Sequence, residues 1–139
     1  MPANTTPIFT LTPNIGMAEV SAANTESDGT GALVTLFTAG ANGSRVEYVK
    51  FTNAQSLAAA SSAMVVRIFV TDTGGANPRL IGEAALGAIT RTVAVVGATG
   101  TITFTNGLVL ASGQLLQCCQ SVYAGVQDLM HFIAVGGNY

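Results

Sequence analysis

The sequence is poor in charge. Only 9% of its 139 residues are Asp, Glu, Lys or Arg, against roughly 25% in ordinary soluble domains, and the formal net charge is -2. The five cations, Arg45, Lys50, Arg67, Arg79 and Arg91, are scattered and outnumbered by seven acids. A nucleic-acid surface needs clustered basic side chains to neutralise successive phosphates, so no nucleic-acid partner is expected. Tryptophan is absent, and histidine occurs once, as His131. The two cysteines, Cys118 and Cys119, are adjacent, and on a strand adjacent side chains point to opposite faces. They are unsuited to pair with each other or to supply spaced metal ligands, so one buried and one half-exposed thiol in a reducing compartment is the expectation. No metal or cofactor is expected.

Long apolar runs are also missing. Between Arg91 and Asp128 there is no charge, but Gly97, Gly100, Asn106, Gly107, Gln114, Gln117 and Gln120 interrupt the apolar residues too often for a membrane-spanning helix. Met1 to Pro7 carries neither a positive region nor an apolar core, so the mature chain is expected to start at Met1 with no secretory signal. The sequons at Asn4 and Asn42 would matter only in a secreted protein.

What is present is strand-forming sequence. Nearly half the chain, 49%, is hydrophobic, enough for one self-sufficient core. Short runs rich in Val, Ile, Thr and Phe alternate with clusters of Gly, Asn, Asp and Ser. They predict strands at Met17–Ala22, Leu33–Thr38, Arg45–Asn53, Met64–Thr71, Arg79–Leu86, Thr101–Leu110, Leu115–Val122 and Leu129–Val135. About eight such strands at regular spacing point to an all-β, single-domain antiparallel β-sandwich of jelly-roll type. Met64, Val66, Ile68 and Val70 fall on one face, the expected core, with Arg67 and Thr71 on the other. Between Arg45 and Asn53 the alternation slips, which requires a bulge near Glu47 and Tyr48. Asn42-Gly43 and Asn106-Gly107 are turn signals, the second a hairpin tip or a bulge. Ser56 to Ala63 reads as a helical turn or a loop. Met1 to Gly16 contains Pro2, Pro7 and Pro13, which break regular elements, yet carries isolated apolar side chains. The expected division is an extended N-terminal arm, 1–16, and a sandwich domain, 17–139. Phe9, Leu11 and Ile15 are the candidate partner-interface residues, because exposed apolar groups on an arm need a covering surface.

Chemical motifs are few. Asp72-Thr73-Gly74 follows an apolar strand and resembles the active-site triplet of aspartic proteases, in which two aspartates share a proton across a dimer. Gly75-Ala76-Asn77-Pro78 then departs from that pattern and reads as a turn joining two strands. His131 lies in strand parity with Leu129 and Ile133 and reads as structural. No nucleophile elbow or phosphate loop occurs. Glu26 and Asp28 share one loop without forming a calcium cage. No enzymatic activity is expected. Glycan binding is a second reading for a jelly roll, although only Tyr48, Tyr123 and Tyr139 offer amphipathic rings for stacking.

The strings Val20-Ser21-Ala22-Ala23-Asn24-Thr25, Asp28-Gly29-Thr30-Gly31 and Leu36 to Arg45 resemble small structural proteins of tailed bacteriophages. Val66-Arg67-Ile68-Phe69-Val70 and Phe132 to Tyr139 extend the resemblance to the C-terminus. It implies a head decoration, or cement, protein at the capsid surface of a virion assembled in the host cytoplasm. The implied partner is the major capsid protein, bound by a dimer or trimer of this chain. A tail or fibre component that grips glycans is the alternative the same resemblance leaves open.

Overall fold

The computed structural model describes residues 9–54 and 60–139. Its eight strands are β1 (Thr12–Val20), β2 (Val34–Thr38), β3 (Ser44–Asn53), β4 (Met64–Thr71), β5 (Arg79–Leu86), β6 (Thr99–Leu110), β7 (Leu115–Gln120) and β8 (Met130–Asn138). They form two antiparallel four-stranded sheets, sheet A in the order β1-β8-β3-β6 and sheet B in the order β2-β7-β4-β5. Every connection except β4–β5 crosses from one sheet to the other, which is the double Greek-key order of a jelly roll. The all-β sandwich read from the alternation is therefore the fold.

The core is built from the inward faces of both sheets. Val46, Val49, Phe51, Phe132 and Ala134 come from sheet A, and Leu36, Met64, Val66, Ile68, Leu116 and Cys118 from sheet B. The Phe51 and Phe132 rings meet at 5.8 Å between centroids. The expected bulge is present: the pairing of β3 with both β6 and β8 shifts between Val46 and Tyr48, so Val46 and Val49 both turn inward. On β6 the same shift is taken up at Asn106-Gly107, a bulge rather than a hairpin tip, where both residues hold positive φ, 63° and 76°. Asn42-Gly43 closes a turn between β2 and β3, with the Gly43 amide donating to the Gly40 carbonyl.

Two expectations need correction. The first strand begins at Thr12, not Met17, so residues 12–16 of the expected arm are paired with β8. Pro13 is accommodated because β1 is an edge strand, where a missing N–H disturbs only one ladder. Thr71 lies on the outer side of sheet B, as expected, and is buried there together with Phe69 and Cys119. The β1–β2 connection folds over that side: Arg67 Nη1 donates to the Asn24 carbonyl, and Gly29 packs against Pro78. Both cysteines are consequently buried, where one half-exposed thiol was expected. Of the segment Ser56 to Ala63, residues 56–59 lie outside the described residues; Ala60 bridges Thr90.

Candidate docking face

Strand β1 carries its large apolar side chains on the wrong side for a core. Its inward positions are Asn14, Gly16, Ala18 and Val20, while Ile15 and Met17 point to solvent at 56% and 74% exposure. A shift of one residue would exchange the two sets. Local sterics forbid it. Gly16 lies so close to the Leu36 carbonyl that a Cβ there would stand 2.9 Å from the carbonyl carbon and 3.0 Å from Phe37 Cα, so neither Ile15 nor Met17 fits in that slot. Two residues earlier, Asn14 Nδ2 donates to the Thr38 carbonyl at 3.2 Å and to Asn138 Oδ1 at 2.9 Å, pinning the strand by hydrogen bonds to both neighbours. Register is thus set by a glycine and an asparagine, and the apolar stripe is left outside.

Of the interface candidates, Ile15 lies on this stripe. Phe9 and Leu11 are 74% and 81% exposed and precede the strand, with the Leu11 amide tied to the Asn138 carbonyl. The pairing then carries the surface across sheet A in rows. Ile15 lies beside Val135 and Tyr48, Met17 beside Ile133 and Lys50, and Glu19 beside His131 and Thr52. Thr99, Thr101 and Thr103 complete the rows on β6. The face is therefore apolar toward β1 and β8 and hydroxylated toward β6. Between Met17, Glu19, His131 and Ile133 it dips into a shallow depression of about 290 Å³. Met17, Ile133 and Lys50 escaped the sequence reading; period-two alternation from Ile15 would have found Met17, but only strand pairing reveals the other two.

The remaining candidates are not brought together. Asp72 begins the β4–β5 turn, where its backbone accepts from Gly75 and its Oδ2 from Asn77 Nδ2 at 2.8 Å. That is turn chemistry, as the residues after it indicated. His131 is exposed on the outer face, with Nε2 3.3 Å from Glu19 Oε2. Asp28 accepts from the Thr30 hydroxyl at 2.7 Å and the Thr30 amide at 2.9 Å, and these bonds hold its carboxyl below its ordinary pKa. Among the described residues no group of three His, Cys, Asp or Glu side chains could hold a metal ion. Burial pushes the Cys118 thiol far above its ordinary value, and it raises Cys119 as well, against the pull of the neighbouring Arg67.

A buried polar cluster closes the opposite end of β3 and β7. The fully buried Asp128 carboxylate accepts from the Ser62 amide at 2.7 Å, the Ser62 hydroxyl at 3.0 Å and the Ala124 amide at 2.7 Å. From sheet A, Asn53 Nδ2 donates to the carbonyls of Gln127 and Leu129; from sheet B, Gln120 Nε2 donates to those of Val122 and Asp128. These bonds fasten the β7–β8 connection between the sheets. They leave no exposed reactive group, so the cluster is structural.

No family model matches the chain, and no curated protein matches it. Among solved structures, a chain in the structure of infectious bursal disease virus, Gx strain, aligns over 99% of this chain with 14% sequence identity and a TM-score of 0.35. This chain spans 38% of that chain's length.

Proposed function

We propose that this is a non-enzymatic viral structural protein, a decoration protein that binds the major capsid protein lattice at the surface of the virion. The observation that carries the reading is the reversed first strand. A register locked by Gly16 and Asn14 holds Ile15 and Met17 in solvent, and Phe9 and Leu11 stand exposed just before the strand. An apolar stripe held out in this way gains stability only when another surface covers it. Two further features support the same reading. Low charge favours extensive protein contact, and the jelly-roll order is used by many capsid domains, an argument by analogy of fold.

The mechanism is passive. Phe9 and Leu11, which project past the end of β1, reach across a seam between capsid subunits, and the sandwich holds them in place. Repetition by symmetry gives weak contacts a high effective concentration, so modest affinity at each site suffices to hold the shell. The test is cosedimentation of the full chain with empty phage capsids, beside glycan-binding and peptide-cleavage assays. Saturable binding that raises the melting temperature of the shell, and falls when Phe9 and Leu11 are changed to Ser, is the expected result. Failure to bind shells, with glycan binding instead, would move the assignment to a fibre component.

A further inference from the structure

We propose that the part of this face lying within sheet A is covered by a second copy of the chain in a two-fold dimer. The argument starts from its charges. Lys50 stands exposed in the middle row, and among the described residues it has no ion pair. The other formal charge in these rows is Glu19, two strands and one row away, a Cα separation of about 12 Å at ordinary strand spacing. The two do not pair within one chain, where Glu19 faces His131. Two-fold packing brings them together.

Consider two sheets A packed face to face with the axis running along the strands over β8. Rows are preserved and columns exchange, so β1 of each copy lies over β3 of the other. Ile133 meets Ile133 and Val135 meets Val135 near the axis. Lys50 lies with its aliphatic stem over Met17 of the second copy and its ammonium one row from that copy's Glu19. Each off-axis pair occurs twice and the Ile133 and Val135 self-pairs once, as an isologous interface requires. The β8 column covers itself, Ile15 and Met17 lie against Tyr48 and the Lys50 stem of the second copy, and the two charges left apart in one chain are matched across the axis.

Size agrees with a weak, reversible dimer. Three overlapping strands and three outward rows outline roughly 15 by 20 Å on each copy, so the pair buries on the order of 600 Å² in total, the size of a weak, reversible contact. Phe9 and Leu11 lie past these rows and stay available for the lattice.

The inference goes beyond the decoration reading and is tested without capsids, so either can fail alone. In sedimentation equilibrium the full chain should dimerise reversibly. Lys50→Glu and Glu19→Lys should each weaken the dimer about tenfold or more, since every reversal acts at two sites. The double variant K50E/E19K should return to within about threefold of the original affinity, a rescue that no folding defect would produce. A chain that stays monomeric at about 1 mM, or a double variant no better than either single one, would overturn the dimer. Capsid binding by a monomeric chain would overturn it and leave the decoration reading standing.

Discussion

Gly16→Ala tests the register lock on which the docking face depends. The glycine is not at positive φ, so alanine brings no conformational strain; in a strand it would ordinarily stabilise by about 0.4–1 kcal/mol through the unfolded chain. Here the added methyl meets the Leu36 carbonyl group and the Phe37 Cα, backbone atoms of β2 that no rotamer change can move. Relief requires β1 and β2 to separate over the edge where the two sheets touch. Overpacking of this kind costs about 1–3 kcal/mol, and a backbone obstacle puts it at the upper end. A net loss of about 2–3 kcal/mol lowers the melting temperature of a 139-residue domain by about 7–10 °C. Gly87→Ala supplies the internal control, because nothing lies within 4 Å of its Cβ position and its φ is also not positive. The assay is paired thermal and urea unfolding of the two variants. If Gly16→Ala melts no lower than Gly87→Ala, the lock does not exist, and the outward stripe loses its explanation.

Other residues give sharper local tests. Asp128→Asn keeps the shape but offers an N–H₂ where buried donors now meet oxygen, and a loss of about 2–4 kcal/mol by urea unfolding is expected; an unchanged midpoint would show that the cluster does not fasten the β7–β8 connection. Both cysteines should resist a thiol-specific chromogenic reagent at pH 8 and react fully only after denaturation; rapid stoichiometric labelling of the native chain would contradict their burial. The Asp28 carboxyl, followed by NMR, should titrate below its ordinary value. Because the folded value is the lower one, the contribution of the Thr30 bonds is present above the unfolded pKa and fades as the pH falls through the folded one, and Thr30→Ala should return the titration toward the ordinary value.

The strands that alternation identified well are those whose apolar side faces the core. Met64–Thr71 and Arg79–Leu86 have the bounds read from the sequence, and the slip near Glu47 and Tyr48 is the bulge. Burial of Thr71, Phe69 and Cys119 was hidden, because the cover over the outer side of sheet B comes from a connection with no periodicity of its own, held by Asn24 and the Gly29–Pro78 contact. The Asn53 and Gln120 amides were equally hidden. A single amide at the end of a strand gives no pattern, and its meaning appears only when both sheets present one to the same turn.

The first strand shows where alternation misleads and why. Proline and scattered apolar residues suggested an arm as far as Gly16, and the exposure of Phe9, Leu11 and Ile15 agrees with that suggestion even though Ile15 lies in the sheet. Two forces compete at β1. Burial of Ile15 and Met17 would favour turning the strand over, at about 1.5–3 kcal/mol for each side chain fully covered. Against that, the slot over Leu36 admits no side chain at all, and Asn14 would give up hydrogen bonds to Thr38 and Asn138. Steric exclusion is not graded, so it prevails, and the unspent apolar burial is left for a partner. A second surface over β1 and β8 recovers part of what the fold gave up, which ties the strength of the expected association to the lock that makes it necessary. Because the slot stays closed while Gly16 is in place, Asn14→Ala, which removes the two hydrogen bonds, should lower stability by about 1–3 kcal/mol in urea unfolding and leave dimer affinity unchanged; a weakened dimer in that variant would show that Asn14 shares the register lock.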